Sequence, residues 1–180
     1  RTHNQYYVWR NISRVESDDF TNWSDPELAV CADSYDPPSM QINSMPTDLY
    51  EGVYIGLLEV DCRPLEEGTR PLQLATSRDG RVWTRVADRV GFMETVEDSD
   101  AWDYHQDGRS VRPSTGLFPV GDRVRMYYSG YHEKTGMGIG MANWRRDGFV
   151  SLHAGPDGGE LLTRPFIVRG SHLHLNLDAG

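Results

Sequence analysis

The sequence predicts an all-β fold: repeated antiparallel sheets of four short strands, with only minor helix. Three observations carry this expectation. The motif S-x-D-x-x-x-W occurs at residues 17–23 and again at residues 77–83, with a looser copy at residues 146–152. Its aspartates, Asp19, Asp79 and Asp147, lie 60 and 68 residues apart, a spacing that suits one returning supersecondary unit. Short apolar runs bounded by Gly, Pro, Asp and Asn recur along the chain, the pattern of strands joined by hairpins. No long stretch repeats apolar residues at i, i+3 and i+4.

The elements follow in order. Residues 6–9 and 12–15 read as strands ahead of the first S-x-D turn. Residues 52–60 are β-branched, aromatic and aliphatic with Gly52 and Gly56 interleaved, which suits a crowded innermost strand. Residues 72–76 lead into the second turn, and 82–86 form the outer segment after it. Residues 112–120 read as the next innermost strand. Residues 124–130 alternate and end on Gly130, and 137–142 lead into the third turn. Four strands per unit, repeated, make the blade of a β-propeller. Residues 1–170 hold about three such units, too few to close a ring. Residues 171–180, with the alternating segment from His172 to Leu177, read as a closing strand or the start of a β-sandwich.

The repeated aspartates are expected to be structural. In the second copy, Asp79 can accept hydrogen bonds from backbone N–H groups two residues on, and Trp83 buries a large ring. The functional acids must therefore be sought elsewhere.

Composition narrows the field. The 180 residues, 38% hydrophobic and 25% charged, suffice for one globular domain with a core. A net charge of −9 argues against nucleic-acid binding, which needs a basic surface. It suits a neutral ligand such as a sugar. No apolar run approaches a membrane span. Cys31 and Cys62 read as unpaired thiols, with one disulfide as the alternative. The sequons at Asn11 and Asn22 fall in a strand and a turn and read as chance. The chain begins at Arg1 and reads as a fragment of a longer protein.

Residues 11–23 (NISRVESDDFTNW), 72–83 (LQLATSRDGRVW), 126–130 (MYYSG), 146–152 (RDGFVSL) and 161–166 (LLTRPF) occur together and in this order. The set resembles glycosidases of the five-bladed β-propeller superfamily, related to glycoside hydrolase families 32, 43 and 68. The resemblance implies a carbohydrate substrate, no cofactor, and an exported or periplasmic parent protein. It further implies that earlier blades, which usually supply a first catalytic carboxylate, lie outside this chain.

Glycoside hydrolysis needs paired carboxyl groups. The resemblance directs attention to acids at innermost-strand starts: Asp103 first, then Asp48, then Glu51. It also marks His132 near the cavity mouth. Arg112 and His105 could contact sugar hydroxyls, and Tyr50, Trp102 and Tyr104 could stack on a sugar face. His172 and His174 share one strand face, but no further ligands accompany them at metal-binding spacing, so no metal is expected. The alternative function is a non-catalytic sugar-binding or interaction propeller.

Overall fold

The computed structural model describes residues 10–61, 71–94, 96–104, 111–173, 175 and 177. The chain divides into two compact units, Arg1–Val150 and Ser151–Gly180. Eleven strands are described in the first unit: β1 (Ile12–Arg14), β2 (Glu27–Val30), β3 (Gln41–Ser44), β4 (Thr47–Tyr50), β5 (Val53–Asp61), β6 (Leu72–Ser77), β7 (Thr84–Arg85), β8 (Arg112–Pro113), β9 (Phe118–Val120), β10 (Arg123–His132) and β11 (Gly136–Arg145). A single 3-10 turn, Ala87–Arg89, is the helical content among the described residues. The protein is all-β.

The strands form three open antiparallel sheets. The first holds β1 and β2. The central sheet runs β3-β5-β6-β7, with β4 also paired to β5; the third runs β8-β10-β11, with β9 also paired to β10. The edge of each larger sheet is thus a strand broken in two. Pro46 stands in the first break, and Pro113 and Pro119 flank the second. Proline lacks an N–H, so it is tolerated at a sheet edge.

This order corrects one expectation. Residues 52–60 were expected to open their unit as the innermost strand, yet β5 lies inside the sheet, between β3/β4 and β6. The reason is burial. Ile55 and Leu57 face one core while Leu58 and Val60 face another. A strand apolar on both faces belongs inside the stack, where both of its edges are paired. Residues 112–120 are likewise interrupted rather than continuous.

Two cores join the sheets. Val30, Met40, Ile42, Leu58, Val60 and Ala75, with Trp83 alongside, pack the first sheet on the central one. Tyr50, Ile55, Leu57, Leu72 and Leu74 meet Val124, Met126 and Tyr128 between the central and third sheets. Strand β11 reads GMGIGMANWR, and its alternate residues Met137, Ile139 and Met141 are exposed.

The S-x-D turns behave as local staples. Asp19 Oδ1 accepts from the backbone N–H of Thr21 at 2.8 Å and of Asn22 at 2.7 Å, and from Ser17 Oγ at 3.1 Å. Asp79 Oδ1 repeats the pattern with Arg81 at 2.8 Å, Val82 at 2.9 Å and Ser77 Oγ at 3.0 Å. These backbone donors hold both carboxyls below their usual range. The third copy differs. Arg145 stands where the serine would be, and Asp147, at φ 60°, accepts the Tyr50 hydroxyl at 2.6 Å.

The second unit carries an isolated bridge between Gly155 and Gly158. Leu173, Leu175 and Leu177 are exposed and lie in no strand. Residues 6–9, Cys62, His105, His174 and residues 178–180 lie outside the described residues. Cys31 is half-buried.

Candidate functional site

The inward positions of β10 build the site. The alternation along this strand turns Val124, Met126, Tyr128, Gly130 and His132 to one face, and all five are buried. Val124 and Met126 join the core; the next three positions meet the turn at residues 99–103. Tyr128 donates its hydroxyl to Asp103 Oδ2 at 2.7 Å. Gly130 leaves the space that the turn occupies: a Cβ there would stand 2.5 Å from Asp103 Cβ and 2.8 Å from the Trp102 ring. His132 Nε2 lies 3.4 Å from the carbonyl oxygen of Ser99.

Strand β11 continues the cradle. A Cβ at Gly138 would meet the Trp102 ring at 2.7 Å, and one at Gly140 would meet Tyr128 Cζ at 2.4 Å. The Trp102 indole therefore lies across glycines with one face covered, tilted 31° to Tyr128 at 5.9 Å between centroids. It remains 42% exposed, whereas Asp103 is only 5% exposed. Burial and the bond to Asp103 push the Tyr128 hydroxyl pKa upward, so this phenol stays protonated and keeps donating.

Gly140→Ala is expected to cost about 1–3 kcal/mol, because the buried Tyr128 ring has to shift to admit one methyl group. Urea denaturation measures it. An unchanged midpoint would show that the ring is not confined.

Asp48 stands on the broken edge of the central sheet, opposite Ile55 of β5. Its carboxylate lies against Gly116, in the break between β8 and β9: a Cβ there would fall 1.7 Å from Oδ2. The two broken edges therefore meet at this point. Arg112 of β8 also reaches the central sheet, its Nε 3.5 Å from Glu59 Oε1 on the interior strand β5. Burial pushes the Asp48 carboxyl up from its ordinary value.

The remaining residues named from the sequence fall as follows. Glu51 is not at an innermost-strand start. It occupies the two-residue β4–β5 turn with Gly52, at φ 47° and 80°, the left-handed pair of a type I′ hairpin. Its side chain is exposed and pairs with Arg146 at 2.9 Å. Tyr50 offers no face for stacking on a ligand, because its ring is buried in the core edge-on to Phe149. Arg112 is exposed and engaged by Glu59. His132 is buried. Among the described residues, no group of three His, Cys, Asp or Glu side chains is arranged to hold a metal.

Tyr128 and Gly116 were not singled out from the sequence. Alternation in β10 turns Tyr128 inward, but its partner lies 25 residues away, beyond the reach of any local pattern.

No family model matches the chain, and no curated protein sequence matches it. Solved structures do. Zg3597, a family 117 glycoside hydrolase produced by the marine bacterium Zobellia galactanivorans, matches with a TM-score of 0.57 at 18% identity, over 74% of this chain and 37% of that one. A BT0996–RGII complex matches with a TM-score of 0.50 at 17% identity, over 77% of this chain and 37% of that one. A third structure, described as a glycoside hydrolase, matches with a TM-score of 0.49 at 18% identity, over 72% and 34%. At these identities the likeness is one of fold. The chain spans little more than a third of the length of the structures it matches.

Proposed function

We propose that the three stacked sheets are consecutive blades of an open β-propeller and that the chain is part of a carbohydrate-active enzyme, a glycoside hydrolase. The observation that carries this reading is the pair of aspartates in contrasting surroundings. Asp48 is half-buried and pushed toward its protonated form, which suits a general acid. Asp103 accepts a hydrogen bond from the Tyr128 hydroxyl, which fixes the orientation of its carboxyl group and suits a base, nucleophile or substrate anchor. The half-exposed Trp102 beside Asp103 supplies a platform for a sugar ring. The structural neighbour Zg3597 is a family 117 glycoside hydrolase, and the fold likeness supports the same class of chemistry here.

The test compares substrates in the intact protein. Asp48→Asn is expected to lose far more activity on unactivated oligosaccharides than on nitrophenyl glycosides, whose leaving group needs no proton. Equal losses on both would remove Asp48 as the acid. The wild-type rate is expected to fall as pH rises through the raised Asp48 pKa, because the protonated form is the working one.

The second reading, a sugar-binding module without hydrolysis, is favoured by the deep burial of Asp103. Sugar binding that requires Trp102, without any cleavage, would establish it.

A further inference from the structure

We infer that the outer edge of β11 is a surface on which two copies of this chain pair, strand against antiparallel strand, about a two-fold axis at Ile139. The other sheet edges among the described residues are short or interrupted. Strands β1 and β2 have three and four residues and β7 has two, while the β3/β4 and β8/β9 edges are each broken in two. Strand β11 ends its sheet, runs ten residues without a break and contains no proline. Among the described residues only β10 pairs with it. A long, unprotected, apolar edge is a template for a further strand.

The residues on that edge select the occupant. Residues 137–141 read MGIGM, a palindrome centred on Ile139. In an antiparallel pair of two copies centred there, Ile139 faces Ile139, Met137 faces Met141, and Gly138 faces Gly140. Residues opposite one another in such a pair lie on the same face of the sheet. Met137, Ile139 and Met141 are 77%, 80% and 45% exposed, and pairing sets them against the same three residues of the second copy. Each apolar side chain thus meets an apolar one, and each glycine meets a glycine.

Charge agrees with this register. The chain carries a net charge of −9, yet residues 134–146 contain no Asp or Glu, so no carboxylates repel across the strand. The same register brings Glu133, in the hairpin turn of one copy, to Arg145 at the end of β11 in the other. Both side chains are exposed, and neither is in an ion pair among the described residues. The contact is isologous, so it uses the edge up and closes at two copies. One strand edge is smaller than a standard interface, so the pair is expected to dissociate on dilution.

This pairing stands apart from the glycosidase reading and is tested without substrate. Sedimentation of the intact chain, followed over about a hundredfold dilution, is expected to show a two-copy mass that falls to that of one copy. Ile139→Lys sets two like charges against each other at the axis and is expected to sediment as one copy at every concentration. Ile139→Glu is expected to do the same. The native side chain is 80% exposed, so both variants are expected to melt as the wild type does. An equimolar mixture of the two is expected to regain the two-copy mass, because opposite charges face each other only in the register centred on residue 139. A wild-type chain that stays a single copy throughout overturns the inference. So does a two-copy mass that persists in Ile139→Lys, or a mixture that stays dissociated.

Discussion

Asp103→Asn is expected to lower oligosaccharide cleavage by about 10²–10⁴-fold while leaving the fold intact. The substitution is nearly isosteric. The new amide can keep its oxygen toward the Tyr128 hydroxyl, so the buried phenol retains an acceptor. What disappears is the carboxyl group, and with it any role as base or nucleophile. Turnover measured on the intact protein, with a thermal melt as the folding control, makes the comparison. A variant that melts normally and turns over at the wild-type rate would remove Asp103 from the chemistry. Tyr128→Phe leaves the carboxyl group and removes only its donor, so its effect is expected to be smaller.

Asp36→Ala is expected to destabilise the chain by about 3–5 kcal/mol, the cost of leaving a buried charge without its partner. Arg85 and Asp36 have side chains only 7% and 2% exposed and meet at 2.5 Å. Arg85 also donates to Gln73, and its Nη2 lies 3.6 Å from Met40 Sδ. Its Nε is buried with no hydrogen-bond partner among the described residues. Arg89 completes the network, donating to Asp33 at 2.8 and 2.5 Å and reaching Asp36 at 2.8 Å. The group ties the loop after β2 to strand β7. Removing Asp36 alone strands Arg85 in the interior. Replacing both together, Asp36→Leu with Arg85→Met, is expected to recover most of the loss, because apolar partners need no charge balance. A double variant as unstable as the single one would show that packing rather than charge sets the cost.

The same network implies a direction with pH. Burial works against the Asp36 charge, but donors from Arg85, the Asp33 N–H and Arg89 prevail and lower its pKa. Hydrogen bonds, chiefly from Arg89, bring Asp33 down to about 2. Carboxyls depressed in the folded state stabilise it fully above their unfolded values. That contribution drains away as pH falls through the folded ones.

Much of the fold was legible in the residues, for local reasons. Strands β5, β6, β10 and β11 are long enough and apolar enough to announce themselves. The staples at Asp19 and Asp79 are complete within a few residues, so their spacing revealed their chemistry. Strands β2, β3 and β4 were harder to see. They are four residues each, and QINS and TDLY carry little apolar signal, because an edge strand needs fewer buried side chains. Missing them displaced β5 to the edge of its sheet. Glu51 was misplaced with it, since a turn acid and a strand-start acid look alike until the register is known.

The candidate site was legible only in part. The sequence by itself determined the all-β class and the two stapled turns. These depend on composition and on contacts a few residues apart. Only the tertiary structure decided which acids have partners: Tyr128 for Asp103, Gly116 beside Asp48, Arg146 for Glu51. It also turned the third aspartate of the repeat, Asp147, from a staple into the acceptor for Tyr50, 97 residues away. Each of those pairings is made across sheets or between a strand and a distant turn. Their energies arise from burial and from donors brought together by folding, and no spacing along the chain encodes them.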